Sequence, residues 1–113
     1  MSYTISDQGG VVVISLNGKI MGGPEATEIN EKFNQLIDDQ KLKIVIDLEN
    51  VEWMNSSGLG ILIGAVTLFK NNNGQLRIIN ISERIQNLLK ITKLDGIFQT
   101  SDSLEEAISS FKK

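Results

Sequence analysis

Residues 42–69 read "LKIVIDLENVEWMNSSGLGILIGAVTLF". Leu42 to Leu48 is a strand, and its apolar run Ile44-Val45-Ile46 suits a strand covered on both faces and central in a sheet. From about Ser57 to Asn71 the residues are apolar on almost every side, as in a helix packed deeply on that sheet. Between them lies a polar island, Asn55-Ser56-Ser57-Gly58-Leu59-Gly60. A strand that turns directly into a buried helix is the basic unit of an α/β domain.

The same grammar extends both ways. Tyr3 to Ser6 alternates weakly, Gln8-Gly9-Gly10 is a turn signal, and Val11 to Leu16 is β-branched, which together predict a hairpin. Asn17-Gly18 ends or bends the second strand, and Ile20-Met21-Gly22-Gly23 is irregular. The single proline, Pro24, followed by Glu25, marks a helix start. Ala26, Ile29, Phe33, Leu36 and Ile37 give that helix its apolar stripe to about Asp39. Asn71-Asn72-Asn73-Gly74 stops the second helix, and Gln75 to Asn80 is a further strand. Ser82 caps a third helix carrying Ile85, Leu88 and Leu89 and ending near Lys93. Ile97-Phe98 reads as a short last strand. Ser103 with Glu106 fits a capping box before a C-terminal helix striped by Leu104, Ala107, Ile108 and Phe111. The order ββαβαβα(β)α means an α/β fold with a largely parallel or mixed sheet. At 113 residues, the chain is expected to form one domain over residues 1–113.

Composition excludes several chemistries. There is no cysteine, hence no disulfide, thiolate nucleophile or cysteine-bound zinc, and no histidine, the usual general base and commonest metal ligand. A net charge of −3 repels phosphate backbones, so nucleic acid is not expected as a partner. The first ten residues, "MSYTISDQGG", have neither a basic region nor a long apolar run, so no signal peptide is expected. The run Leu59 to Phe69 is roughly half the ~20 residues of a membrane span. A cytoplasmic protein without direct membrane insertion is expected.

The polar island admits several readings. A serine in a strand-to-helix turn is the geometry of a nucleophile elbow, but Asn55 replaces a flanking glycine and no histidine exists to activate a hydroxyl. No catalytic residue and no metal site is therefore assigned. Gly58, Gly60 and Gly64 come near a dinucleotide fingerprint, yet Ile63 stands at the third glycine's place and no acidic ribose ligand follows. No cofactor is expected. In a purely structural reading, Ser56 or Ser57 is the helix N-cap and the glycines let helix and sheet approach closely. That leaves three capping groups where one would serve. A fourth reading is modification, because a helix N-terminus offers free amides and the positive end of a dipole to a phosphate.

"VEWMNSSGLGILIGAV" resembles the core motif of STAS-domain proteins, in particular the bacterial anti-sigma factor antagonists. "VVVISLNGKI" and "LRIINISERIQNLLKITKLDGIF" resemble the family's second strand and its closing strand, helix and end segment. The resemblance covers essentially the whole chain. It implies a STAS-type four- to five-stranded mixed sheet flanked by about four helices. It places the phosphoacceptor at Ser56, with Trp53, Met54, Asn55, Ser57, Gly58, Met21, Gly22 and Gly23 flanking it and meeting a partner. It implies an anti-sigma factor antagonist that is not an enzyme and works by partner switching. Its partners would be an anti-sigma factor with serine kinase activity, of the GHKL ATP-site type, and a PP2C-type phosphatase. The alternative within the family is a STAS adaptor or scaffold that is not phosphorylated, in a stress-signalling complex or a lipid-transport assembly. Two positions depart from the family's pattern: Asn55 stands where members usually carry Asp, and Met21-Gly22-Gly23 where many carry Asp after the second strand. Trp53 reads either as a core aromatic at a strand end or as an exposed contact beside Ser56.

Overall fold

The computed structural model describes residues 2–93, 96 and 98–111. Its elements are β1 (Ser2–Gln8), β2 (Val11–Ile20), α1 (Pro24–Asp38), β3 (Lys43–Met54), α2 (Ser56–Asn71), β4 (Gln75–Ile79), α3 (Glu83–Ile91), β5 (Thr100–Ser101) and α4 (Leu104–Ser110). They form one mixed sheet in the order β1-β2-β3-β4-β5, antiparallel between β1 and β2 and parallel elsewhere. The hairpin closes through Gly9 and Gly10, with φ of 66° and 90°. Positive φ at both central residues matches the twist of the flanking strands. Asp7 Oδ1 accepts from the Gly10 amide at 3.0 Å, and Asp7 Oδ2 meets Lys41 Nζ at 3.3 Å.

The continuous apolar runs follow from cover on both faces. Val12, Ile14, Ile44, Ile46 and Ile78 face a core shared with α1, α2 and α3. Val11, Val13, Val45 and Ile79 face a smaller core closed by Ala107 and Phe111 of the C-terminal segment. Phe33 of α1 and Phe69 of α2 meet edge to face, with ring centroids 6.1 Å apart. Arg77 of β4 lies over the Phe111 ring at 4.9 Å and donates to Ser110 Oγ, which ties α4 to the sheet.

β3 runs past the expected end at Leu48 to Met54. Ser15 pairs with Asp47 but Asn17 with Asn50; Gly18 pairs with Val51 but Lys19 with Trp53. At each shift β3 carries one residue more than β2, which is a β-bulge. The core-facing residues of β3 are therefore Ile44, Ile46 and Leu48, then Val51 and Met54. The spacing changes from two to three, and the exposed pairs Glu49-Asn50 and Glu52-Trp53 fill the gaps. Asp47 Oδ1 accepts from the Glu49 amide at 2.9 Å and from Asn80 Nδ2 at 2.9 Å, which holds the first bulge.

The last strand is corrected. It is Thr100–Ser101, not Ile97-Phe98. Phe98 is a buried core residue outside any strand, and Ile97 lies outside the described residues. Ser82 and Ser103 cap α3 and α4 as expected, accepting from the amides of Ile85 and Glu106 at 3.2 and 3.1 Å.

Candidate functional site

β2 and β3 end side by side, Ile20 opposite Met54, and α2 begins two residues after Met54. Asn55 makes that turn. Its backbone is extended (φ −103°, ψ −173°), its amide donates to the Ile20 carbonyl at 3.3 Å, and its Oδ1 accepts from the Gly58 amide at 2.8 Å. The N-cap is thus Asn55, not Ser56 or Ser57, and α2 starts at Ser56. Only an N-cap residue has the non-helical backbone that turns its side-chain oxygen back onto the first-turn amides. The serines already lie inside the first turn.

That choice of cap leaves both hydroxyls available. Ser56 and Ser57 are exposed, and neither hydroxyl has a hydrogen-bond partner among the described residues. Their amides have no intrahelical acceptor, because the first turn lacks a preceding carbonyl. The two serines still differ. A Cβ on Gly22 would stand 3.0 Å from Ser57 Cβ, so the loop after β2 packs on Ser57. Gly22 and Gly23, with φ of 85° and 78°, let that loop fold back.

Gly58 has a structural task. A Cβ there would overlap the Ile20 carbonyl oxygen, so the helix start rests directly on the end of β2. Gly60 and Gly64 face open space, and close approach does not require them. The Gly58 amide is engaged by Asn55 Oδ1, and the Ile20 backbone fills the side of its Cα. A cavity of about 880 Å³ lies instead at the other end of α2, with Thr67, Lys70, Gln75 and Arg77 in its wall.

The structure sorts the flanking residues into two groups. Met54, 4% exposed, and Gly58 are buried and hold the turn in place. Met21, Trp53, Gly23, Ser56 and Ser57 are exposed, and Asn55 and Gly22 are half-buried. Trp53, 38% exposed, is a surface aromatic and not a core one. Sequence reasoning missed Ile91, which is 79% exposed and shares a groove with Trp53. Ile91 sits three residues after Leu88, so it reads as one more step of the buried stripe of α3. It also missed the Ile20 carbonyl, a backbone atom with no sequence signal.

No helix among the described residues is long and apolar enough to cross a membrane. The STAS domain family model matches residues 2–107. The anti-sigma-B factor antagonist of Staphylococcus aureus (strain NCTC 8325) is 32% identical over 78 residues, 69% of this chain and 72% of that protein. The anti-sigma-B factor antagonist of Bacillus subtilis (strain 168) is 34% identical over 83 residues, 74% of this chain and 75% of that protein. Among solved structures, the Bacillus cell fate determinant SpoIIAA in its phosphorylated form superposes with a TM-score of 0.74 at 21% identity, covering 97% of this chain and 99% of that one. With the fold, the turn and the family match in agreement, this chain belongs to the STAS domain family.

Proposed function

We propose that this protein is an anti-sigma factor antagonist, a single non-catalytic domain whose binding is switched off by phosphorylation of Ser56. The choice of Ser56 over Ser57 comes from the resemblance, and one observation supports it: Asn55 caps α2, so the Ser56 hydroxyl is exposed and unengaged at the first helical position, while the loop after β2 packs on Ser57. Two relatives of known name are anti-sigma-B factor antagonists, and a protein of the same fold has been solved phosphorylated.

The chemistry of such a switch is simple. Phosphate adds about −1.5 to −2 charges at one point, next to two free helix amides. A standard interface covers about 800 Å² per partner. Burying an unpaired dianion within it costs several kcal/mol, and each ~1.4 kcal/mol is tenfold in affinity. One modification can therefore end a complex formed by Ser56, Ser57, Met21 and Trp53. The kinase would be the anti-sigma partner itself, and a PP2C-type phosphatase would reverse the step. Asn55 in place of Asp keeps the capping oxygen and removes one negative charge beside the incoming phosphate.

Incubation with ATP and the kinase-type anti-sigma factor of the same organism, followed by mass spectrometry, is expected to place phosphate on Ser56. Phosphate on Ser57 alone would overturn the assignment. Ser56→Asp is expected to weaken binding to that anti-sigma factor at least tenfold while Ser56→Ala binds normally. Equal binding by both variants would point to the unphosphorylated adaptor instead.

A further inference from the structure

The cavity of about 880 Å³ lies far from the serine turn. Lys70 in its wall is one residue from the end of α2, about 21 Å along the helix from Ser56. The volume falls within the ~300–1,000 Å³ of small-molecule sites. The wall is mostly polar. Thr67, Asn71, Gln75, Gln99 and Ser110 offer hydrogen-bonding groups, and the described lining holds no aromatic ring. The side chains of Thr67, Asn71 and Gln99 have no hydrogen-bond partner among the described residues.

Two cations share that wall, Lys70 from α2 and Arg77 from β4. Neither makes an ion pair among the described residues. Arg77 engages three of its five N–H groups, with Ser110 Oγ, the Leu76 carbonyl and Gln75 Oε1, and keeps two. It is half-buried, and that burial works against its charge. Carboxylates are scarce around it. The helix and the strand that supply the cations, α2 and β4, contain none. The acids of α4, Glu105 and Glu106, lie in its first turn, whereas the described lining takes from that helix only Ser110 at its end. Asp95, next to Gly96 of the lining, lies outside the described residues. A ligand with two negative charges at one point answers both cations, and a phosphate monoester carries about −1.5 to −2. Hydroxyl groups match the neutral polar side chains, while a nucleobase would find no ring to stack on. We infer that this cavity binds a hydroxylated small molecule bearing one phosphate, with the phosphate held by Lys70 and Arg77 and the hydroxyls by Thr67, Gln75 and Gln99.

The probes are ribose 5-phosphate and glucose 6-phosphate, titrated into the isotope-labelled chain and followed by amide NMR shifts. Ribose, inorganic phosphate and AMP are the controls. Saturable shifts are expected at Thr67, Lys70, Gln75 and Arg77 and not at Ser56. At least one sugar phosphate should bind about tenfold or more tighter than ribose or inorganic phosphate, and salt should weaken it. Lys70→Glu, at an exposed position, is expected to weaken that binding at least about tenfold, and Lys70→Gln to weaken it less. Arg77→Lys keeps the charge, loses the planar fork and should also bind more weakly. Unchanged circular dichroism checks that each variant is folded. Absence of saturation with both sugar phosphates would overturn the inference, as would normal binding by Lys70→Glu. Ribose or inorganic phosphate binding as tightly would remove the phosphate or the hydroxyls from the recognition. AMP binding more tightly than either probe, or shifts confined to the serine turn, would assign a different ligand or a different site and overturn it equally.

Discussion

The carbonyl oxygen of Ile20 occupies the space that a side chain on Gly58 would need. The start of α2 is thereby fixed to the end of β2 by contact between two backbones. Gly58→Ala is expected to destabilise the protein by about 1–3 kcal/mol, since neither backbone can yield easily. Gly60→Ala, in the same turn but facing open space, is expected to stabilise by about 0.4–1 kcal/mol. Urea unfolding midpoints of the two variants should move in opposite directions.

Asn55 offers a second test of the same turn. Asn55→Ala removes the acceptor of the Gly58 amide and is expected to cost about 1 kcal/mol. Asn55→Asp keeps a capping oxygen and adds a charge at the positive end of α2, so its stability should equal or slightly exceed the parent's. Thermal melts of the three proteins check this order.

The bulges of β3 assign opposite roles to two neighbours. Met54 is buried in the main core, and Met54→Ala is expected to cost about 2–5 kcal/mol. Trp53→Ala should cost under about 1 kcal/mol, in keeping with surface substitutions. A strand that stopped at Leu48 would give no reason for that contrast. Chemical denaturation separates the two cases.

The hairpin turn carries a pH signature. The Gly10 amide first, and Lys41 second, hold the Asp7 carboxyl below its ordinary value of 3.8. Ionised Asp7 is therefore favoured in the folded state. Its contribution is present above pH 3.8 and fades as pH falls through the lower folded value. Asp7→Asn should be less stable than the parent at neutral pH, with the difference closing in acid. Denaturant titrations at pH 7 and at successive steps below pH 4 follow the gap.

Much of this architecture is legible because local pattern and global packing agree. The runs Val11-Val12-Val13-Ile14 and Ile44-Val45-Ile46 announce strands covered on both faces, and helices do cover both. The stripe Ile29-Phe33-Leu36 announces α1, and Ser82 and Ser103 announce the caps of α3 and α4. Two of the misses trace to distant partners. Leu48-x-x-Val51-x-x-Met54 breaks strand alternation, and only the pairing with β2 shows that it is still a strand. Asn55, Ser56 and Ser57 are equally able to cap; the contact of Asn55 with Ile20, 35 positions earlier, decides between them. β5 has two residues, too few for any periodicity. At the turn, Ser56 could be singled out only through resemblance; the fold adds that its hydroxyl is free.

The two bulges also give β3 slack in its length. Between Ile44 and Met54 it spends two residues more than β2 spends between Val12 and Ile20. Loss of Glu49 or Glu52 would straighten one bulge and still leave Met54 opposite Ile20, with every residue beyond it in place. Loss of Val45 would slip the pairing and turn the following side chains to the wrong face. Chain length can therefore drift in the segment leading to the serine turn without moving the turn itself.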